Sequence, residues 1–529
     1  MAWPDAVAKP FETHLEDVLG EQLEVFVHRP RTLREMLEHT DRFDDIEYLI
    51  IDEHRLTYAE VRRMVAALST ALHEQYGVTH GSRVAILGEN MVEWLLTFWA
   101  TTVLGGITVG INSWWSPDEI AFYMDDCEPT IIAVSDRMRD HLPEQTPPLV
   151  RMDSIIDELI TPNLGAAMPA AEIDEDDPVV ILYTSGTTGR SKGAVNTHRN
   201  AISMVMLQSM ARMAKFFADP NSPRDIGATS FPFFHVSGLY GSLLVPLMAG
   251  DTSVFLTGKF DAAKVLRAVD AEGCTKISIV PTTGWRIARE LQANRDQYDL
   301  STLQRFTGGG APMTPAMQEA LREQIPHIQF AFGYGLTECA GLATGASNDM
   351  LSRNPNTAGV PYPTAQVQIW DENDVPQPDG TEGLVMVRGP MVMPGYWDNE
   401  AANDKTFAPG HWLRTGDLGT LTDGELELTG RRSDLILRGG ENVYPAEIEF
   451  ALEEHPAIVE VVVVGVAHPD LGQEVCAHVV VNSDVTGEDL TEFLKPRLAY
   501  FKIPSKWVIG RGPLPRTASG KIMRKQLQS

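Results

Sequence analysis

Short apolar runs alternate with longer stretches of helical periodicity along most of this chain, and that alternation most restricts what it can fold into. Thr57 followed by Glu60 makes a capping-box pattern, and Val61, Met64, Val65, Leu68 and Leu72 then recur three and four residues apart, predicting a helix from near Tyr58. A strand is predicted at Val84 to Leu87. The rhythm continues through Ile131-Ile132-Ala133-Val134, Val179 to Leu182, Val254-Phe255-Leu256 and Ile277 to Val280. Strands separated by helices imply an α/β fold of sheets covered by helices. Around residues 360–430 the texture changes to short strands broken by turns, at Gln366 to Trp370, Gly383 to Arg388, Trp412-Leu413 and Glu425 to Leu428, which predicts a β-rich subdomain. After Arg431-Arg432 the rhythm resumes, with Pro445 at a helix start, apolar strands at Ile458 to Val466 and Ala477 to Val481, and a helix near Leu490. The shift places a domain boundary near residue 432, giving a large N-terminal domain over 1–432 and a small α+β C-terminal domain over 433–529.

Composition narrows the function classes. The chain has 529 residues, of which 43% are hydrophobic and 22% charged, enough for a large packed core and too apolar for wholesale disorder. Its 43 basic and 72 acidic residues leave a net charge of −29, which repels phosphate backbones and argues against nucleic-acid partners. Any anionic ligand must therefore be met by a local site. Cys127, Cys274, Cys339 and Cys476 lie far apart with no CxxC pair, which fits neither a zinc ribbon nor a disulfide framework. With no basic start and apolar run at the N-terminus, a reducing cytoplasmic location is expected. No charge interrupts Trp94 to Pro117, but Gly105-Gly106, Gly110, Asn112 and Ser113 make this stretch a buried helix, glycine turn and buried strand rather than a membrane span. The histidines form no HExxH pattern, and no GxSxG elbow surrounds Ser185 or Ser237, which argues against zinc and serine-hydrolase chemistry.

The most informative segment is Ile181-Leu-Tyr-Thr-Ser-Gly-Thr-Thr-Gly-Arg-Ser-Lys-Gly193, an apolar strand running into a loop of Gly, Ser and Thr that ends at Lys192. Thr184, Ser185, Gly186, Thr187, Thr188 and Gly189 offer backbone N–H groups and hydroxyls to phosphate oxygens, and Lys192 balances their charge. The spacing is not that of a Walker loop, because Gly189 stands three residues ahead of Lys192. A flexible surface linker is the plain alternative, although such linkers seldom carry this density of Thr beside a buried strand.

With this loop, four further segments occur in a fixed order: Tyr334-Gly-Leu-Thr-Glu338, Trp412-Leu-Arg-Thr-Gly-Asp417, Gly430-Arg-Arg-Ser-Asp-Leu-Ile436 with Gly439-Gly-Glu-Asn-Val-Tyr-Pro445, and Pro515-Arg-Thr-Ala-Ser-Gly-Lys521. On these motifs the chain resembles the class I adenylate-forming enzymes, the superfamily of acyl-CoA synthetases, aryl-CoA ligases, luciferase and peptide-synthetase adenylation domains. The resemblance implies an ATP-dependent carboxylic acid–CoA ligase. A carboxylate attacks the α-phosphate of ATP, acyl-AMP and pyrophosphate form, and the thiol of coenzyme A then displaces AMP. ATP, Mg²⁺ and CoA are the implied cofactors.

By that resemblance the loop from Thr184 to Lys192 grips the β- and γ-phosphates. Tyr334 lies beside adenine, Thr337 meets the α-phosphate, and Glu338 holds Mg²⁺, for which a carboxylate is a suitable hard ligand. Gly309, Gly310 and Ala311, in the run Gly308-Gly-Gly-Ala-Pro312, lie along the adenine and acyl group; alone, a glycine triplet is equally a turn. Asp417 accepts the ribose hydroxyls and Arg431 reaches ribose and phosphate. Lys521 bridges the substrate carboxylate and α-phosphate, although its basic tail could also be a solvated helix end. With Lys521 in the small domain, that domain is implied to swing between two poses, about a hinge at Ser433 where many relatives carry Asp or Lys. Gly439 and Gly440 resemble the segment that closes the pantetheine tunnel.

Phe231-Pro-Phe-Phe-His-Val-Ser-Gly238 resembles the mouth of the acyl pocket, with His235 near the carboxylate; a His in an aromatic run is otherwise a packed core residue. A lining of Val236, Gly238, Trp285, Gly308 and Gly333 is apolar and would not pair with an amino group, which leaves fatty, aromatic or alicyclic acids. The version of the segment at 439–445 is common in fatty acyl-CoA synthetases, so fatty-acid metabolism is the pathway class first expected. One alternative remains open, an acyl-AMP ligase that passes its product to a carrier protein or other acceptor; a nucleotide-binding scaffold that does no chemistry is argued against by the joint presence of Lys192, Thr337, Glu338, Asp417, Arg431 and Lys521. A homodimer is also kept open.

Overall fold

The computed structural model describes residues 11–184, 191–219, 221–310, 313–431, 434–438, 441–468, 471–498, 500–516 and 522–528. The predicted first helix is Tyr58–Tyr76. Its Thr57 hydroxyl accepts from the Glu60 amide at 3.2 Å while Glu60 accepts from the Thr57 amide at 2.8 Å, and Gly77 in the left-handed region (φ 68°) ends it. The uncharged stretch folds as helix Val92–Val103, a turn through Gly105 (φ 72°) and strand Ile107–Ile111, nearly all of it buried. Among the described residues no helix is long and apolar enough to cross a membrane.

Two sheets carry the large part of the molecule. In the seven-stranded sheet, Arg83–Leu87 lies between Ile107–Ile111 and Ile131–Val134, all parallel. Beyond Ile107–Ile111 come Pro178–Thr184, the antiparallel Lys192–Thr197 and the two-residue edge strand Gly395–Tyr396. The fourteen-stranded sheet has parallel neighbours Thr252–Phe255, Ile226–Thr229, Lys276–Ile279, Arg305–Gly309 and Gln329–Tyr334 at its centre. One hydrophobic core joins the sheets. Val84, Ile86 and Val180 of the first and Tyr48, Leu49 and Phe255 of the second pack with helices Tyr58–Tyr76, Val92–Val103 and His198–Ala218. Burial on both faces explains why these strands read as continuous apolar runs rather than alternating ones.

The predicted β-rich stretch is present, and its strands are continuous with the fourteen-stranded sheet. Gln366–Trp370, Gly383–Arg388, Trp412–Thr422 and Glu425–Arg431 pair in that order, and the last pairs Thr357–Pro361 across a register shift. From Ile436 onward a separate five-stranded sheet is built from Ile436–Arg438, Glu441–Val443, Ile458–His468, Gly472–Val481 and Lys506–Gly510. Helices Pro445–Glu453 and Gly487–Leu494 cover it around a core of its own, including Ile448, Leu452, Val463, Val479 and Leu490. Arg432 and Ser433, at the expected boundary and hinge, lie outside the described residues.

Candidate active site

The site lies where the two sheets meet. Thr184 ends one strand and Lys192 begins the next, and the two are direct partners across the antiparallel pair, so the intervening loop starts and finishes at one place. Ser185, Gly186, Thr187, Thr188 and Gly189 lie outside the described residues. Beside the end of the loop is a cleft of about 340 Å³ lined by Phe122, Asp126, Ser191, Lys192, Gly193, Trp397 and Asn399.

Glu338 reaches toward this corner from the other sheet. It sits in the single turn Thr337–Cys339 between strands Gln329–Tyr334 and Thr344–Ala346. Its Oε1 accepts from Thr184 Oγ1 at 3.3 Å and from the Tyr396 hydroxyl at 2.7 Å. Its backbone carbonyl accepts from the Met393 amide at 2.9 Å, and Asn196 Nδ2 donates to the Thr337 carbonyl at 3.3 Å. Thr184, Thr337, Glu338 and Lys192 thus lie near one another. Glu338 and the Thr184 hydroxyl are hard oxygen donors suited to Mg²⁺. So small a protein set fits a metal that keeps several ligands from water and nucleotide phosphates.

Tyr334 and Asp417 form the second half of the site. The Tyr334 hydroxyl donates to Asp417 Oδ2 at 2.8 Å, with both residues buried. Burial, reinforced by the Asp417 charge, raises the phenol well above its ordinary value, so it stays a donor. Asp417 is further fixed through its amide, which donates to Thr415 Oγ1 at 3.1 Å, while Thr415 donates to the Val385 carbonyl at 2.8 Å. Arg431 stands opposite Asp417 in the strand register.

Gly309 and Gly310 close the strand Arg305–Gly309 and begin the turn after it. A Cβ on Gly309 would lie 2.5 Å from the Gly333 carbonyl oxygen, and Gly310 has φ +80°, so the glycine run has packing and conformational reasons of its own. Ala311 lies outside the described residues, as do Gly439, Gly440 and Lys521. His235 is half-buried, its ring 4.8 Å from Phe234 and 6.3 Å from Trp114. The neighbouring wall is apolar: Gly341 faces Val236, and Gly333 faces Leu342. Gly238 is a packing glycine, since a Cβ there would lie 2.1 Å from the Pro232 carbonyl oxygen.

Motif reading missed Tyr396, Trp397 and Asn399. Tyr396 sits on a two-residue strand whose only local signal is the glycine before it, and its partners are remote in sequence.

Residues 36–397 match the family model for AMP-binding enzymes, and residues 447–521 match the model for the C-terminal domain of the same enzymes. The chain belongs to the AMP-binding enzyme family. A 2-succinylbenzoate–CoA ligase of Bacillus velezensis is 34% identical over 480 residues, covering 90% of this chain and 94% of that protein. A 4-coumarate–CoA ligase-like protein of Oryza sativa is 31% identical, covering 89% and 88%. Among solved structures, the o-succinylbenzoate CoA synthetase of Bacillus subtilis in complex with ATP and magnesium superposes with a TM-score of 0.80 at 28% identity, over 93% of this chain and 99% of that one. The same synthetase has been solved with its acyl-adenylate intermediate, also at a TM-score of 0.80 and 28% identity, over 93% and 98%. These relatives are named for aromatic acids, and none of them supports the fatty-acid pathway expected from the segment at 439–445.

Proposed function

We propose that the acid taken by this chain is an apolar, aromatic monocarboxylate, and that the residues gathered between the two sheets divide the work as follows. The protein is an ATP-dependent carboxylic acid–CoA ligase of the AMP-forming kind, acting through an acyl adenylate. The observation that carries the division of labour is the convergence of Thr184, Glu338 and Lys192, from two different sheets, beside the buried Tyr334–Asp417 pair.

Attack of one anion on another needs positive charge and fixed donors around the α-phosphate. Lys192 and the loop before it hold the β- and γ-phosphates. Mg²⁺, when bound, neutralises phosphate charge, and Glu338 with the Thr184 hydroxyl would hold it. Asp417, oriented by Tyr334 and Thr415, receives the ribose. Lys521 supplies the ammonium that draws the acid's carboxylate to phosphorus, and Arg431 supports the ribose end.

The apolar wall of Val236, Gly333, Gly341 and Leu342 beside His235 supports the choice of acid. A second carboxylate entering there would be desolvated with none of these residues to pair it, at a cost of several kcal/mol. The test is pyrophosphate release from ATP and Mg²⁺ against aromatic mono- and dicarboxylates, alicyclic acids and fatty acids, with and without CoA, followed by mass analysis of products. A CoA thioester of an aromatic monocarboxylate is expected. Acyl-AMP that persists in the presence of CoA would point to a carrier protein as acceptor, and a preference for dicarboxylates would overturn the reading of the wall.

A further inference from the structure

Between the residue read as a metal ligand and the lysine read as a phosphate ligand stands a side chain to which no role has yet been given. Tyr396 is 9% exposed, its hydroxyl donates to Glu338 Oε1 at 2.7 Å, and its ring lies 4.6 Å from Lys192 Nζ. Lys192 makes no ion pair with a carboxylate among the described residues, so its ammonium rests on this π face. The ring thereby keeps the cation and the carboxylate from neutralising each other before substrate arrives.

The backbone around Tyr396 is fixed from three sides. Ala194 is its partner in the neighbouring strand, and its amide donates to Asn403 Oδ1 at 2.7 Å. Three residues earlier, the Met393 amide holds the Glu338 carbonyl at 2.9 Å. One short segment therefore grips Glu338 at both main chain and side chain.

We propose that Tyr396 is a positioning residue for the adenylation step, setting the Glu338 carboxylate and the Lys192 ammonium in one fixed relation so that metal and phosphate are received together. The proposal rests on the reading of Glu338 as the magnesium ligand and Lys192 as the phosphate ligand. A hydrogen bond to a charged acceptor is worth enough that its loss should weaken metal binding by roughly tenfold or more. Removing the ring should in addition act through Lys192 on the nucleotide.

Four variants test this, three single and one double. Tyr396→Phe keeps the ring and its packing, and should raise the Mg²⁺ concentration for half-maximal adenylation about tenfold while leaving the KM for ATP at saturating Mg²⁺ within about threefold. Tyr396→Leu should raise the KM for ATP as well. Mn²⁺ affinity in the presence of a non-reacting ATP analogue, followed by paramagnetic resonance, gives a readout independent of turnover, and melting temperature screens out loss of fold. Glu338→Gln, alone and combined with Tyr396→Phe, separates the two levels of the argument. If Glu338→Gln weakens Mn²⁺ binding and Tyr396→Phe does not, the positioning role is wrong and the metal reading stands. If Glu338→Gln leaves Mn²⁺ binding unchanged, the metal reading fails first. Strictly additive effects in the double variant would also overturn the proposal, because residues acting through one hydrogen bond must couple.

Discussion

The large and small domains hold their functional residues in different ways. In the large domain, Glu338 is held by Thr184, Tyr396 and Met393, and Asp417 by Tyr334 and Thr415. The small domain has its own sheet and core, and contacts its neighbour through polar links such as Arg289 to the Val459 carbonyl at 3.0 Å and the Tyr444 hydroxyl to Glu382 at 2.6 Å. Exposed links of this kind are worth little individually, so they can be broken and remade. On the reading proposed above, the nucleotide site is built on the large domain, and the small domain would bring Lys521 to it.

The sharpest way to break this contrast is Lys521→Ala. Adenylation should fall by roughly 10²–10³-fold, the scale seen when one donor to a developing charge is removed, while supplied acyl-AMP and CoA still give thioester. Equal loss in both half-reactions would mean that the two domains do not divide the chemistry.

Asp417 tests the large domain's side. Asp417→Ala should raise the KM for ATP about tenfold or more and lower stability by ~1–3 kcal/mol, because the buried Tyr334 hydroxyl loses its acceptor. Asp417→Asn keeps an acceptor, and should retain most of the stability but not the ATP affinity. Urea unfolding beside the ATP titration distinguishes the two effects.

A smaller, pH-dependent effect is expected at the junction itself. Burial beside the large domain pushes the Glu453 carboxyl from its ordinary 4.5 up to about 7, opposed by a hydrogen bond from Thr314 and assisted by the Glu449 charge. Glu449 is itself paired with Arg524. A carboxyl raised by docking takes up a proton when the domains close, so closure is unhindered below about 4.5 and increasingly penalised as pH rises through about 7. A fluorescence pair across the domains should therefore report weaker closure at pH 8 than at pH 6, and Glu453→Gln should flatten that profile. The least effect belongs to a residue far from either role: Thr57→Ala removes a helix cap, costing ~1 kcal/mol in unfolding experiments without changing any KM.

Legibility in the sequence followed the range of the interactions. The helix Tyr58–Tyr76 was readable because its cap and apolar spacing are local. Glu338 and Asp417 could be singled out because each sits in a short contiguous motif. The joining of Thr357–Pro361 to Glu425–Arg431 was not, since the pairing spans some seventy residues and includes a register shift. Tyr396 escaped for the same reason: its value comes from Glu338, Lys192 and Asn403, none of which is a sequence neighbour.

Glu338 also has a mechanical meaning. Its turn belongs to the fourteen-stranded sheet, while Thr184 and Tyr396, which hold its carboxylate, belong to the seven-stranded one. The side chain is a bolt between two plates, and a bound nucleotide that touches both acts as a rivet beside it. Occupancy should therefore register as heat resistance of the whole large domain, by about 2.7 kcal/mol at a hundredfold excess over Kd. A simple melting curve thus becomes a gauge of which adenylates the protein will hold.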